Sequence, residues 1–358
     1  MVTISSKPRV AIVGAGLAGL VVAARLKQAG FDVEVFDKGR FVGGRLASRD
    51  RDHNQFDYGA QYFTVKDQIL RDFIEPLRQS SVVQSWQGRF VSQGESDPAL
   101  SLVSDGKERL VGVPTMRSLA EHIAESAELN VHTGCRVISV KKSEAGWSLA
   151  FAEGECPAGE SPEGEVLRQV FDYLVLNMPP AQAQALTNLD LGAYRFTPCI
   201  AVMLAFDAPL ALPFDGASFE SSTSFFSWLA RDSSKPGRPP GERWVLHISG
   251  ATADSLWQLS DEALTIEVLA KFHEFCAANF EQVDLPKPSF AKVHRWRYAL
   301  ALKPVDKDAA PNLGYIYQQD LKLGYCGDWL HSPRVEGAFL SGYRLSDAIV
   351  ADRDGALN

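Results

Sequence analysis

Gly14-Ala15-Gly16-Leu17-Ala18-Gly19 is the feature that most restricts what this 358-residue chain can fold into. It follows a short apolar run, Arg9–Val13, and opens a segment, Leu17–Gln28, with helical spacing that stops at Gly30. Phe31–Phe36, rich in Val and Phe, reads as a second strand. Strand, glycine turn, helix and strand in this order form a βαβ unit, and that context gives G-x-G-x-x-G its meaning as a dinucleotide-binding turn. Gly14 permits the tight turn, Gly16 carries no Cβ to hold off a pyrophosphate, and Gly19 lets the helix lie on the strand. The N–H groups around Ala18 then face the phosphates from the helix N-terminus. Asp37, eighteen residues past Gly19, ends the second strand where a carboxylate accepts ribose hydroxyls, with Lys38 beside it.

Further along, helical spacing is expected over Lys66–Gln79, Pro114–Ser126, Asp261–Phe280 and Val335–Val350. The stripe of the third of these is Leu264, Val268, Phe272 and Phe275. Arg136–Val140 and Gly146–Ala152 read as a hairpin, Glu153–Glu165 as a solvated loop, and Val170–Leu176, Lys292–Tyr298 and Leu321–Cys326 as strands. Short strands broken by Pro and Gly fill Cys199–Ser249. The expected architecture is α/β: a discontinuous Rossmann-type dinucleotide-binding domain (1–70, 105–180 and 290–358) with an inserted mixed or antiparallel-sheet substrate domain (71–104 and 181–289).

A formal charge of -8 disfavours a nucleic-acid partner. The longest apolar stretch, Val10–Ala24, is too short to span a bilayer and is interrupted by glycines, so no membrane association is expected and the protein is read as cytoplasmic and unprocessed. The five cysteines, Cys135, Cys156, Cys199, Cys276 and Cys326, show no metal or redox spacing, and buried free thiols in a reducing compartment are expected. The seven His residues have no metal spacing, and H-E-x-x-H, P-loop and G-x-S-x-G motifs are absent.

Gly43-Gly44-Arg45-Leu46, six residues past Asp37, resembles the G-G-R signature of flavoproteins in the amine-oxidase superfamily. A second glycine pair keeps backbone close to a long cofactor, and Arg45 can fork onto a phosphate. Cys326-Gly327-Asp328 resembles the Gly-Asp motif of those proteins, in which Asp328 would bind a ribityl hydroxyl. The resemblance also implies that the strand at Val137 lies beside the adenine. The last helix, opening at Glu336-Gly337-Ala338, would aim its positive end at the flavin pyrimidine edge. The implied cofactor is non-covalent FAD, and the resemblance implies that the α/β architecture is a Rossmann-type FAD-binding domain with an inserted substrate domain, in a layout similar to that of amine oxidases and p-hydroxybenzoate hydroxylase.

A closer resemblance covers nearly the whole chain. Asp57-Tyr58-Gly59-Ala60-Gln61-Tyr62-Phe63-Thr64, Trp228-Leu229-Ala230-Arg231, Ser234-Lys235-Pro236-Gly237-Arg238, Trp244-Val245-Leu246-His247, His294-Arg295-Trp296 and Arg334-Val335-Glu336-Gly337-Ala338 are similar in order and spacing to bacterial renalases. The loop Glu153–Glu165 and the stretch Leu300-Ala301-Leu302 depart from that pattern. The resemblance implies oxidation of 2- or 6-dihydro isomers of NAD(P) to NAD(P)+, with hydride passing to the flavin and O2 becoming H2O2. A dihydropyridine needs no base to lose hydride, so flat walls that hold the ring and exclude water suffice. Candidate walls are Tyr62, Trp228, Trp296 and Tyr298, with His247 as a hydrogen-bonding group and Gln61 near the cofactor; ordinary core packing is the competing reading for each aromatic. A flavin amine oxidase is the nearest alternative, although neither Lys235, in a turn, nor Lys292, before a strand, looks placed beside a flavin nitrogen. A non-catalytic FAD or NAD(P) sensor is the alternative of another class.

Overall fold

The computed structural model describes residues 7–51, 54–95, 99–152, 156, 170–187, 189–221, 224–281, 285–302 and 313–355. The loop expected over Glu153–Glu165 lies outside these apart from Cys156.

Two sheets organise the chain. The first has six strands in the order Ile316–Gln318, Leu323–Tyr325, Tyr173–Leu176, Arg9–Val13, Asp32–Asp37 and Asn130–Thr133. All neighbours are parallel except the outer pair Ile316–Gln318 and Leu323–Tyr325. Its central strands are continuous apolar runs because helices or the hairpin Val137–Ser143/Gly146–Phe151 cover both faces. The first helix, Leu17–Gln28, and the last, Val335–Arg353, cross tightly: a Cβ on Gly342 would stand 2.3 Å from the Ala18 carbonyl oxygen. This is the doubly wound, Rossmann-type unit the glycine turn implies.

The second sheet has seven strands in the order Phe290–Ala301, Phe196–Phe206, Glu242–Ser249, Trp228–Arg231, Gly216–Phe219, Phe90–Gln93 and Leu100–Leu102. It is antiparallel apart from the pair Gly216–Phe219 and Phe90–Gln93. Behind it lies the helix Asp261–Asn279, which buries Leu264, Val268, Phe272 and Cys276 against Ile200, Val202, Leu246 and Ile248. Cys276, at i+4 from Phe272, takes the inward place the sequence reading gives to Phe275.

Three boundaries move. The strand Phe290–Ala301 pairs with Phe196–Phe206, so 290–301 belong to the second sheet and not to the nucleotide-binding unit. The helix Gln68–Gln79 starts before residue 71 and buries Leu70, Ile74 and Leu77 in the nucleotide-side core, so it stays with that unit. The helix near Pro114 begins only at Ser118, because Val113–Met116 is taken up by backbone contacts to Val82 and Asp57.

The cysteine reading also needs correction. Cys199, Cys276 and Cys326 are buried free thiols, but Cys135 and Cys156 form a disulfide. Twenty-one positions of separation carry no motif, yet the hairpin folds them together: Val137 pairs with Phe151, and Ala152 N–H donates to the Arg136 carbonyl.

Candidate functional site

The two glycine turns lie against each other. Gly43 N–H donates to the Ala15 carbonyl at 2.8 Å, and a Cβ on Gly44 would sit 3.3 Å from Gly16 Cα. Gly43 and Gly44 have φ of +105° and +54°, a backbone suited to glycine. The helix beginning at Leu17 has no side chain on its N-terminal N–H groups, since its cap is Gly16, so those donors around Ala18 and Gly19 are free to take a pyrophosphate. A strip of backbone without Cβ atoms, ending at a helix N-terminus, fits the dinucleotide of FAD.

Asp37 lies at the rim of this strip. Its two oxygens accept N–H groups from Ala15 and Gly39, each at 2.6 Å, leaving further lone pairs for hydroxyls. Burial pushes its pKa up, against the two backbone N–H groups and Lys38. The Lys38 ammonium donates to Gln182 Oε1 at 3.3 Å. Val137 is buried, one turn of chain past Cys135, whose N–H donates to the Asp37 carbonyl.

Arg45 and Asp328 meet directly. Arg45 Nη1 and Nη2 fork onto Asp328 at 2.8 and 2.5 Å, and Nη1 also donates to the Ala299 carbonyl at 3.0 Å. This bidentate pair joins the G-G-R and Gly-Asp segments, whose expected contacts are a phosphate for Arg45 and a ribityl hydroxyl for Asp328. Gly327, at φ +154°, donates its N–H to Ser341 Oγ at 2.8 Å, tying this corner to the last helix. That helix packs tightly at its start: a Cβ on Gly337 would stand 2.0 Å from the Ser332 carbonyl oxygen, and Ala338 is half-buried beside it. Glu336, expected at the cofactor, has structural partners of its own. Its Oε1 accepts the N–H groups of Lys66 and Asp67 at 2.6 and 2.8 Å, which satisfies the entry to the helix Gln68–Gln79.

The second sheet supplies the wall. Strand register sets His294, Ala201, His247 and Trp228 in one row across four strands, and directly opposed residues share a face. Trp296, two residues past His294, shares that face. Over the row lies Tyr58, which the sequence reading did not single out. Its carbonyl accepts Trp296 Nε1 at 2.9 Å and His247 Nε2 at 3.3 Å. Its ring stacks on Trp296, with centroids 5.5 Å apart and planes at 19°, and tilts against His294 at 4.7 Å. Tyr62 lies 5.3 Å from Trp228 and 6.5 Å from Trp86. Trp228 Nε1 is buried and, among the described residues, has no acceptor. Tyr298 stands apart. The register slips between Trp296 and Leu300, and Tyr298 turns edge-on to Phe196 in a separate cleft of about 320 Å3.

Burial holds the His247 pKa down at about 4, against the Tyr58 contact and with Lys235 adding to the effect. The ring is therefore neutral near pH 7. Because the folded pKa lies below the unfolded value of about 6.5, His247 binds more protons when unfolded, and its contribution to stability is lost as pH falls from about 6.5 towards 4. The expected result is a His247 proton resonance that does not titrate between about pH 5.5 and 8. A His247 midpoint near 6.5 would contradict this.

Gln61, expected at the cofactor, has a buried side chain. Its amide nitrogen donates to the carbonyls of Asp57 and Gly59, the latter at 3.1 Å, and its oxygen accepts Lys235 Nζ at 3.0 Å. Lys235 is itself wholly buried, its other two N–H groups going to Asp57 at 3.1 Å and Asp232 at 2.6 Å. All three donors of the ammonium are used, so it is an anchored cation and not an available base. Lys292 faces Asp261 at 3.6 Å near the outer helix.

The comparisons agree with this assembly. A family model described as "Flavin containing amine oxidoreductase" matches residues 95–350, and one described as "NAD(P)-binding Rossmann-like domain" matches 12–77. The chain belongs to the flavin-containing amine oxidoreductase family. It is a flavin-dependent oxidoreductase whose cofactor is FAD. Among solved structures it is similar to a protoporphyrinogen oxidase-like protein from Exiguobacterium sp. 255-15, with a TM-score of 0.75 at 14% identity over 97% of this chain and 99% of that one. It is also similar to putrescine oxidase bound to putrescine, with a TM-score of 0.66 at 13% identity over 96% and 99%. At these identities the likeness is one of fold. Among curated proteins, a 1-hydroxycarotenoid 3,4-desaturase from Flavobacterium sp. (strain P99-3) is 43% identical over 54 residues, 15% of this chain and 11% of that protein. A 4,4'-diapophytoene desaturase from Staphylococcus aureus (strain MRSA252) is 28% identical over 122 residues, 34% and 22% of the two. The matches thus span between about a tenth and a fifth of those relatives' lengths. Among the described residues no helix is long and apolar enough to cross a membrane, and no His/Cys/Asp/Glu group is arranged to hold a metal ion.

Proposed function

We propose that this protein is a renalase-like oxidase that uses FAD and O2 to convert 2- or 6-dihydro isomers of NAD(P) to NAD(P)+. One observation carries the reading: among the described residues the wall is flat, aromatic and without a strong base. Tyr58, Trp296, Tyr62 and Trp228 supply the rings, burial pushes both His247 and His294 below the usual imidazole range so that neither is strongly basic, and Lys235 has every donor engaged. An amine substrate must lose a proton from its ammonium form before it can be oxidised, whereas a dihydropyridine is driven to lose hydride by its own ring nitrogen. The stacked Trp296 and Tyr58 rings exclude water from one side. Bound FAD supplies the hydride acceptor, and the sum is dihydro-NAD(P) + O2 + H+ giving NAD(P)+ + H2O2. The partners are thus a dihydronicotinamide dinucleotide and O2, with no nucleic acid, membrane or metal required, and a cytoplasmic setting suits that substrate.

The test is anaerobic mixing of the FAD-loaded protein with the 2-, 4- and 6-dihydro forms of NAD and NADP. The 2- or the 6-isomer, or both, is expected to bleach the flavin at least about a hundredfold faster than the ordinary 4-isomer. Air should then restore the colour with one peroxide per turnover. Bleaching by putrescine or another amine in place of the isomers would move the protein to the amine oxidases. Bleaching that air reverses only over many minutes would fit a sensor.

A further inference from the structure

Two sequence segments with no role in the proposed chemistry meet in the interior. Asp57 and Gln61 come from the loop that follows the strand Asn54–Asp57 on the nucleotide side. Asp232, Lys235 and Arg238 come from the turn between the strands Trp228–Arg231 and Glu242–Ser249 of the second sheet. The side chains of Asp57, Lys235, Asp232 and Arg238 are all fully buried. Two carboxylates meet two cations, so the group is balanced in charge. Asp57 also accepts Ser48 Oγ at 2.7 Å and Met116 N–H at 2.9 Å, and its own N–H donates to Asp232 at 3.3 Å. Arg238, besides pairing with Asp57, donates to the carbonyls of Gly112 and Pro236, both at 2.8 Å.

The loop 57–62 is held from three sides. Beneath it is this cluster, reached through Gln61. Beside it is the G-G-R segment, with Ala60 N–H on the Arg45 carbonyl at 2.9 Å; a Cβ on Gly59 would stand 2.1 Å from that same oxygen. In front is the second sheet, through the Tyr58 carbonyl on Trp296 and His247. The loop thus fixes how far the aromatic wall stands from the segment that holds the cofactor. A solvated turn at Ser234–Arg238 would make none of these contacts. Trp86, which donates to Ser234 at 2.9 Å and lies 5.4 Å from Lys235 Nζ, extends the same connection to Tyr62.

We infer that Lys235 and Gln61 are positioning residues: with Asp57, Asp232 and Arg238 they set the distance between the flavin and the Tyr58–Tyr62 aromatic wall. The inference extends the proposed site but does not need its substrate, and one measurement is independent of turnover. Tyrosine and tryptophan rings held close to a flavin quench its emission, so the fluorescence of bound FAD reports the spacing. In Lys235→Met the flavin should remain bound at one per chain while its fluorescence rises severalfold. Reduction by the dihydro isomers should fall by about 10²-fold, the scale that a misplacement of about 1 Å produces, with KM changing much less. Gln61→Met, which leaves every charge paired, should move both quantities in the same direction by a smaller factor. Asp232→Asn combined with Lys235→Met, which restores charge balance, should recover part of the quenching. If Lys235→Met and Gln61→Met lower the melting temperature but keep wild-type fluorescence, the cluster is a structural staple only and the inference fails. Should Lys235→Met not fold, Gln61→Met decides by the same readouts. Failure of the substrate reading would appear separately, as a wild-type flavin that no dihydro isomer reduces.

Discussion

Gly14→Ala should purify without flavin and with a large loss of stability, whereas Gly30→Ala, a few turns away, should keep its flavin and lose much less stability. Both glycines have positive φ, +109° at Gly14 and +90° at Gly30, so both alanines carry the left-handed cost of about 1–2 kcal/mol. The surroundings separate them. A Cβ on Gly30 meets nothing within 4 Å, while one on Gly14 lies 2.4 Å from the Asn177 carbonyl oxygen and 3.0 Å from its carbon. Those atoms are backbone at the end of the neighbouring strand Tyr173–Leu176, and Asn177 N–H is tied to the Val13 carbonyl at 2.8 Å. Gly14 N–H is tied in turn to the Phe36 carbonyl at 2.7 Å. The clash therefore cannot be relieved by turning a side chain, and overpacking adds about 1–3 kcal/mol. The total approaches the lower end of the 5–15 kcal/mol that a domain of ordinary stability has in hand (roughly). It also shifts the three strand ends that shape the phosphate turn. The ratio of flavin to protein absorbance and the melting temperature are the measurements. A yellow Gly14→Ala protein melting within about 2 °C of wild type would show that the turn is not built as described.

What could be read from the sequence is what short-range physics fixes. Arg9–Val13 and Leu17–Gln28 have the bounds the pattern predicts, because a buried parallel strand and a glycine-started helix each carry their signal within a few residues. The helix Asp261–Asn279 and the hairpin about Lys141–Ala145 are legible for the same reason. The aromatic row was legible only in its members. Trp228, His247 and Trp296 stand out as residue types, but their alignment comes from the register of four strands separated by up to about ninety positions, which no local pattern encodes. Tyr58 was passed over because its contribution is a carbonyl as much as a ring. Lys235 read as a turn lysine because Ser-Ser-Lys-Pro-Gly is turn chemistry, and it is a turn; its burial follows from the nucleotide-side loop that covers it. At Glu336 and Gln61 the side chains have structural partners that no local pattern announces. A polar residue beside a cofactor motif invites a cofactor role, yet buried N–H groups and an ammonium also require acceptors, and these two side chains serve that need.

That need sets the scale of the other large effect, Asp57→Ala. Asp57 is fully buried; burial pushes its carboxyl pKa up, but Lys235, Arg238 and the Met116 N–H outweigh this and hold it down at about 2. It is ionised in the folded protein at neutral pH and accounts for half the negative charge facing two buried cations. Asp232 cannot take over. Its own pKa is raised, by burial first and by Asp57 as well, against the pull of Lys235 and Arg238, and its Oδ1 already accepts Lys235 at 2.6 Å. Truncating Asp57 leaves a guanidinium without its carboxylate, an ammonium with one acceptor fewer, and Ser48 Oγ and Met116 N–H without theirs. Breaking a buried pair in this way costs about 3–5 kcal/mol, because a charge remains in the interior uncompensated. Asp57→Asn keeps one acceptor oxygen and the shape, so its cost should be smaller, though it sets an amide N–H against donors. The pH dependence follows from the depressed pKa: Asp57 stabilises the fold above its unfolded value of about 3.9, and that contribution is lost as pH falls through about 2. Urea unfolding of wild type and Asp57→Ala should therefore differ by at least about 3 kcal/mol at pH 7, with the gap constant down to about pH 4 and closing below it. A gap under about 1 kcal/mol at pH 7 would mean that water or a rearranged carboxylate already serves Lys235 and Arg238, and that the two halves of the molecule are not joined through this pair.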